Sequence, residues 1–402
     1  MPVLVEHLGE KPAVAHQVCY AIHYLADAFE EERDNPSSNL SRFFHGVVQK
    51  LMLSCDRSDL DECNLRAAVY EALNSMITSV AQDQLQLVGN LVPLFLTRLD
   101  KTGQMEDKHA AADLQALICG VLLAITSRLG EHIRSFSDEI MRRLLLVFST
   151  PVARVHEEAL LAIAGLANAL GPHFDRYAAT PYLQQVIVKA LRSTEDSHVA
   201  SVAVSLVSDM SIALDEKMQP YCDTLMMVLL QNLQSAELDR DIKPSILSCI
   251  GDIALAIQGH FEKYLGAVMV VLQQASQTRN VDPNDLDFMD YIDNLREGVF
   301  EAYSGILHGL STAKKVQLMA PYMQHAVAFV EFLAKESEEI RDHVLHAGCA
   351  FIGDVGKTLG PPGIALFQNR DPIRRFVQLG ANSKNKATAE AAEWAKSKLA
   401  GR

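Results

Sequence analysis

The chain has 402 residues, more than one ordinary hydrophobic core supports, so several cores or a repeat array are expected. Apolar residues make up 49% and charged residues 21%, which excludes a disordered chain. Fifty acids against 36 bases give a net charge of −14, which argues against direct nucleic-acid binding and for a basic partner.

Met1 to Pro12 carries no charged-then-apolar signal pattern. From there nearly every segment reads as amphipathic helix. His16 to Phe29 is expected as an unpaired helix, the second of a truncated first repeat. Ser41 to Cys55 then pairs with Asn64 to Val80, Leu85 to Leu99 with Ala110 to Leu129, and Phe136 to Phe148 with Arg154 to Leu170. Phe174 to Leu191 pairs with His198 to Leu214, Gln219 to Leu233 with Ile242 to Ile257, and Phe261 to Ala275 with Leu286 to Leu310. Val316 to Ala334 pairs with Ile340 to Leu359, and Ile364 to Leu379 with Asn385 to Leu399; residues 384–402 are the terminal capping helix. Breaks fall at Gly130, Pro151, Gly171-Pro172, Gly259, Pro283 and Gly360-Pro361-Pro362-Gly363. There is no convincing alternating strand and no Asn-Gly or Asp-Gly hairpin.

The second helices share a pattern: a small residue in the middle and a Leu or Ile about six residues later. It recurs as Gly165 to Leu170, Ser208-Asp209 to Leu214, Gly251-Asp252 to Ile257 and Gly353-Asp354 to Leu359. Successive offsets are 43, 43 and 102 residues, with Gly305 filling the last gap. A period of roughly 40 to 50 residues with two helices per period is the signature of a HEAT-type solenoid. The fold expected is all-α: a HEAT-repeat superhelical solenoid of about eight helix pairs plus one leading helix, continuous over 1–402 and part of a longer array. Ala162, Ala164, Gly165, Ala203, Gly251 and Gly348 would let helix axes approach closely. A compact all-helical domain is the alternative.

The charge is regional. Asp196 to Glu301 holds 17 acids and 6 bases, whereas Lys357 to Arg402 holds 3 acids and 9 bases. Asp209, Asp252 and Asp354 follow the small residue of their second helices, so stacking aligns them as a stripe suited to an extended basic ligand. Asp282, Asp285, Asp287, Asp290, Asp293, Glu297 and Glu301 form the densest acidic run; the last four, from Asp290 on, are spaced along one helix face. The run lacks the glycine and terminal glutamate of a calcium loop.

Catalytic and metal motifs are not recognisable. Gly356-Lys357-Thr358 imitates the end of a phosphate-binding loop, but Phe351 stands where its first glycine belongs. His156-Glu157 opens like a zincin helix, but Leu160 replaces the second histidine. His343 and His346 have no ligand-spaced companions and read as surface or groove histidines; Cys222 and Cys249 read as core. No cofactor, no metal and no catalytic residue are assigned, and an enzyme is not expected. Seven scattered cysteines suit a reducing compartment. Asn39-Leu40-Ser41 is a chance glycosylation match in the absence of a secretory signal. The longest nearly apolar stretch, Ala159 to Leu170, is too short to span a bilayer, so a soluble intracellular protein without membrane insertion is expected.

Several separate stretches, in order along the whole chain, resemble the importin-β (karyopherin-β) family. They are Val48-Gln49-Lys50-Leu51, Asn64 to Glu71, Lys243 to Ile257, Phe261 to Leu265, Leu272 to Gln277, Asp290 to Glu297, Glu301 to Ile306, and the Lys-flanked Trp394-Ala395 of the last helix. What the resemblance implies is the C-terminal half of such a receptor, working in nuclear protein import in cytoplasm, nucleus and at the pore. It implies a solenoid that wraps the basic importin-β-binding helix of importin-α, or basic cargo, with inner acids and the last-helix tryptophan in contact. By motif or repeat equivalence the residues are Asp209, Asp252, Asp290, Glu297, Asp354 and Trp394. It also implies outer-helix pockets for phenylalanine-glycine nucleoporin repeats, for which Met226, Leu230, Tyr264, Val268 and Tyr322 are candidates, and a partial contact to Ran-GTP. A monomer is expected. Two departures stand out: the family's N-terminal repeats are absent, and Tyr20 stands where a tryptophan is expected. The rival reading is a generic HEAT scaffold or adaptor binding another basic or helical partner. A related karyopherin that binds cargo directly is the variant within the leading class.

Overall fold

The computed structural model describes residues 1–279, 285–336 and 340–400. Asp282 and Pro283, named above, lie outside the described residues. The only regular elements among the described residues are helices, and the chain divides into two compact units, Met1–Tyr177 and Ala178–Arg402. Each unit is a stack of helix pairs.

The first unit holds α1 (Pro2–His7), α2 (Pro12–Asp27), α3 (Ser41–Ser54), α4 (Leu65–Ser79), α5 (Leu85–Thr102), α6 (Lys108–Leu129), α7 (Ser137–Val147) and α8 (Ala153–Leu170). A single turn, α9 (Asp175–Ala178), falls at the division. The second unit holds α10 (Pro181–Leu191), α11 (Ser197–Leu214), α12 (Cys222–Gln234), α13 (Lys243–Ile257), α14 (Glu262–Ser276) and α15 (Leu286–Thr312). It continues with α16 (Met323–Glu336), α17 (Asp342–Leu359), α18 (Pro361–Phe367), α19 (Asp371–Ala381) and α20 (Lys386–Leu399).

Four differences from the sequence reading have local causes. The leading helix is not unpaired: α1 packs on α2, and Pro12, which lacks an N–H and presets φ, opens the second of them. The helix expected over Phe174 to Leu191 is broken, because Thr180 sits before Pro181 in extended backbone (φ −78°, ψ 128°). The last first-layer helix splits into α18 and α19 around Asn369, whose φ is +60°. Lys108–Ser135 and Ser197–Gln234 are longer than Ala159 to Leu170 and apolar enough by composition to cross a bilayer. More than half of each apolar window, 61% and 56%, is buried within the fold, as in core helices of soluble proteins.

Helix ends follow ordinary capping physics. Asp107, Asp196 and Asn385 accept the first free backbone N–H groups of α6, α11 and α20. Gly130, Gly171 and Gly360 end α6, α8 and α17 with positive φ. Asp215 and Gln258 take the same conformation, φ +51°, at the ends of α11 and α13, where a side chain makes it costlier.

Each unit has two layers. In the first, α2, α4, α6 and α8 pack in series; in the second, α11, α13, α15, α17 and α20 do. These second helices approach one another more closely than the first helices beside them, and between α13 and α15 glycine is the reason. A Cβ on Gly298 of α15 would lie 2.7 Å from the Pro244 carbonyl oxygen of α13, and one on Gly251 would lie 2.9 Å from that of Glu301. At Gly305 and Gly309 it would collide with the backbone of Gly251 and Ala254. The core beyond this contact is aromatic: Phe300, Tyr303, Phe351 and Phe376 are fully buried and their rings meet, Phe300 to Phe351 at 6.0 Å between centroids.

Candidate functional site

The closely packed layer of the second unit leaves one partly exposed stripe on each helix. On α13 it is Ser245, Ser248, Asp252 and Leu255, at helical spacings of three and four. On α11 the equivalent positions, each 43 residues earlier, include Ser205, Asp209 and Ile212. On α15 the stripe holds Asn294, Glu297, Glu301, Ser304 and His308, and on α17 His343, His346, Asp354 and Lys357.

Packing in series brings the carboxylates together. Burial pushes the Asp252 carboxyl above its ordinary range, and the charges of Glu301 and Asp209 push it further, against a hydrogen bond from Ser208. Glu297 is raised as well, first by burial and then by Glu301, with His343 and His346 opposing. Glu301 accepts a hydrogen bond from Ser248, which ties α15 to α13 at the middle of the row. Asp209, Asp252, Glu301 and Glu297 are therefore one electrostatic group over three successive helices.

The other expected residues lie apart from this row. Asp290 pairs with Arg341, whose Nε is also 3.3 Å from Asp293 Oδ2. Asp354 is paired too: His308 Nε2 lies 2.9 Å from Asp354 Oδ2, and that bond raises the His308 pKa. Trp394 is half-buried with one edge of its indole against Gly353, which has no Cβ to block it. Lys398 Nζ lies 4.5 Å from the ring centroid and Lys357 Nζ 5.8 Å. The tryptophan thus already carries cations of its own chain.

Of the expected outer-layer residues, Met226 and Val268 are each 1% exposed and belong to the core between helices, so they cannot line an open pocket. Tyr264 is partly exposed but its hydroxyl is bonded to Asp223, and Leu230 is partly exposed on α12. Tyr322 stands in the turn before α16, on neither α12 nor α14. An apolar groove opens elsewhere, in the first unit. Between α3 and α5, Phe44, Val48, Met52, Leu87, Leu91 and Leu94 line about 260 Å³. Farther along α5, Arg98 pairs with Asp56 just past the end of α3, with Nη1 2.8 Å from Asp56 Oδ1. Facing α10 and α12 a larger cleft of about 770 Å³ is lined by Pro181 and Val188 together with Gln184, Lys189, Arg192 and Thr194.

Sequence reasoning passed over three features. Glu301 was part of the acidic face but not of the site, although it lies one turn from Glu297. Leu87, Leu91 and Leu94 repeat at spacings of four and three, which marks an apolar stripe without saying it stays open. On α2, His16, Tyr20 and Tyr24 follow at i, i+4 and i+8 and form a ring ladder, 4.8 Å and 6.4 Å between centroids. Cys222 and Cys249 are buried core residues as expected, with thiols pushed up to about 12 by burial. Among the described residues no group of three His, Cys, Asp or Glu side chains is placed to hold a metal.

Stacked helix pairs at a period near 43 residues, with a glycine-packed layer carrying acids, define a HEAT-repeat array. The chain belongs to the importin subunit beta-1 family: the family model for importin subunit beta-1-like TPR repeats matches residues 1–380. It is 35% identical over 407 residues to importin subunit beta-1 of Arabidopsis thaliana, covering 98% of this chain and 46% of that protein. A crystal structure of importin beta in an ammonium sulfate condition superposes with a TM-score of 0.91 at 32% identity, covering 99% of this chain and 47% of that one. A Kap95:Nup1 complex superposes at 0.82 and 26% identity, over 99% of this chain and 46% of that one. The chain spans about half the length of the relatives it matches.

Proposed function

We propose that this chain is the cargo-adaptor-binding part of a nuclear transport receptor. Its acidic stripe takes the basic importin-β-binding segment of importin-α, or basic cargo of the same charge pattern. The observation that carries the reading is the carboxylate row Asp209, Asp252, Glu301 and Glu297. Four acids sharing a partly desolvated strip raise one another's free energy, and a row of incoming cations relieves it. Asp290 and Asp354 join by exchanging Arg341 and His308 for ligand cations. Trp394 offers a ring face to a ligand guanidinium in exchange for Lys398.

Nucleoporin binding is the second part of the reading, and the α3–α5 groove supports it. A cavity of about 260 Å³ lined by Phe44, Val48, Met52 and three leucines suits a phenylalanine side chain of a phenylalanine-glycine repeat. The likeness to Kap95 in its complex with Nup1 points the same way. The reading moves this contact from Met226 and Val268 to α3 and α5. Release controlled by Ran-GTP, and shuttling between cytoplasm and nucleus, belong to the whole receptor in this proposal.

The test is a titration of the chain with the basic N-terminal segment of importin-α at about 50 and about 300 mM salt. Binding should weaken steeply with salt, and Asp252→Asn should weaken it about tenfold and flatten the salt dependence. No binding at low salt would overturn the adaptor reading. Equal binding of an unrelated basic helix would favour a generic scaffold.

A further inference from the structure

We infer that the α11–α13 part of the acidic stripe selects an amphipathic basic helix, one with aliphatic side chains a turn away from its cations, through Ile212 and Leu255. The inference rests on the basic-segment reading above and adds what else the ligand must carry.

Ile212 is 67% exposed and Leu255 48% exposed. A single exposed aliphatic residue is ordinary on a protein surface. These two differ in register. Each stands three residues after a carboxylate of the row, Asp209 and Asp252, on helices that pack side by side, and both pairs are offset by the same 43 residues. The face of α11 and α13 is therefore two parallel strips, one anionic and one aliphatic, a helical turn apart. Neither side chain serves the core: Val207, Met210 and Leu214 fill it from α11, and Ile250, Ile253 and Ile257 from α13. Farther along the layer the aliphatic strip stops. Ser304 stands three residues after Glu301 on α15, and Lys357 three after Asp354 on α17. The ligand's aliphatic stripe thus lies over α11 and α13, and its stretch over α15 and α17 needs none.

The occupant fixed by these strips is a helix with arginine or lysine on one side and leucine, isoleucine or valine at the next positions round. An extended basic chain would satisfy the carboxylates and leave Ile212 and Leu255 in water. Covering each of them is worth about tenfold in affinity.

The test uses two synthetic helices of about 20 residues, long enough to cross two or three helices of the layer. They share every arginine and lysine; one carries leucine along the adjacent stripe and its twin carries serine. Calorimetric titration of the intact chain should favour the leucine helix by about ten- to a hundredfold. The Ile212→Ser/Leu255→Ser double variant should lose that preference while keeping the salt slope, with its melting curve confirming the fold. Asp209→Asn/Asp252→Asn should weaken both helices alike and flatten the slope. Equal affinity of the parent chain for the two helices would overturn the inference and leave the charge reading standing. So would a preference that survives in the serine double variant. Failure of the parent chain to bind either helix would overturn both.

Discussion

The same repeats of the second unit are joined in opposite ways in their two layers. α13 and α15 meet backbone to backbone, because Gly251, Gly298, Gly305 and Gly309 leave no side chain between them. α12 and α14 meet partly through long polar side chains, with Lys263 Nζ 2.5 Å from Asp223 Oδ1 and Tyr264 bonded to the same carboxylate. The glycine contact has no intermediate geometry: a carbonyl oxygen sits where a Cβ would go. The ion pair is about two-thirds exposed on both sides and exchanges freely with water and salt. One layer fixes the spacing of the repeats, and the other leaves it adjustable.

The strongest way to break this contrast is Gly305→Val. The added atoms meet the backbone of Gly251, which cannot yield, so the variant should lose more than about 3 kcal/mol or fail to fold. The matching change in the outer layer is Gly266→Ala on α14, where a Cβ meets nothing within 4 Å. Removing a helix-interior glycine there should stabilise the chain by about 0.5–1 kcal/mol. Urea denaturation of the intact chain measures both. If Gly305→Val is tolerated, the inner spacing is not set by glycine.

A smaller effect sharpens the electrostatic side. The Asp252 carboxyl is raised in the folded state, so the folded chain binds that proton more tightly than the unfolded chain does. Its contribution to stability is present below the ordinary carboxylate pKa and is lost as pH rises through the folded value. Asp252→Asn should therefore be more stable than the parent at neutral pH, with the difference closing on acidification; denaturation midpoints from pH 3 to 7 would show it. A constant difference would mean that neither burial nor the charges of Glu301 and Asp209 raise the Asp252 carboxyl. The smallest effect is expected from Asp223→Asn, which should leave the midpoint unchanged within error at physiological salt.

The fold was legible because its signal is periodic. Gly251, Ser208 and Gly165 recur at one spacing, and that repetition specifies paired helices before any contact is known. The breaks at Pro181 and Asn369 were harder, since a proline or a turn inside an apolar stretch shifts a boundary without changing the pattern. The site was partly legible. Asp209 and Asp252 follow from repeat equivalence, and Glu297 from the resemblance. Sequence cannot show that Arg341 covers Asp290 or that His308 covers Asp354, because those partners lie 51 and 46 residues away and depend on how the helices stack. Nor can periodicity tell a buried outer-layer residue such as Met226 from an open one such as Met227, 48% exposed, its neighbour in the chain.

Trp394 is the chain's only tryptophan among 402 residues. Its indole touches α17 through Gly353 and sits under Lys398. Fluorescence excited at the red edge of aromatic absorption therefore comes from one interface, with no labelling and no background from other indoles. Whatever moves α20 against α17, or takes the place of that lysine, writes itself into the colour and lifetime of a single emitter.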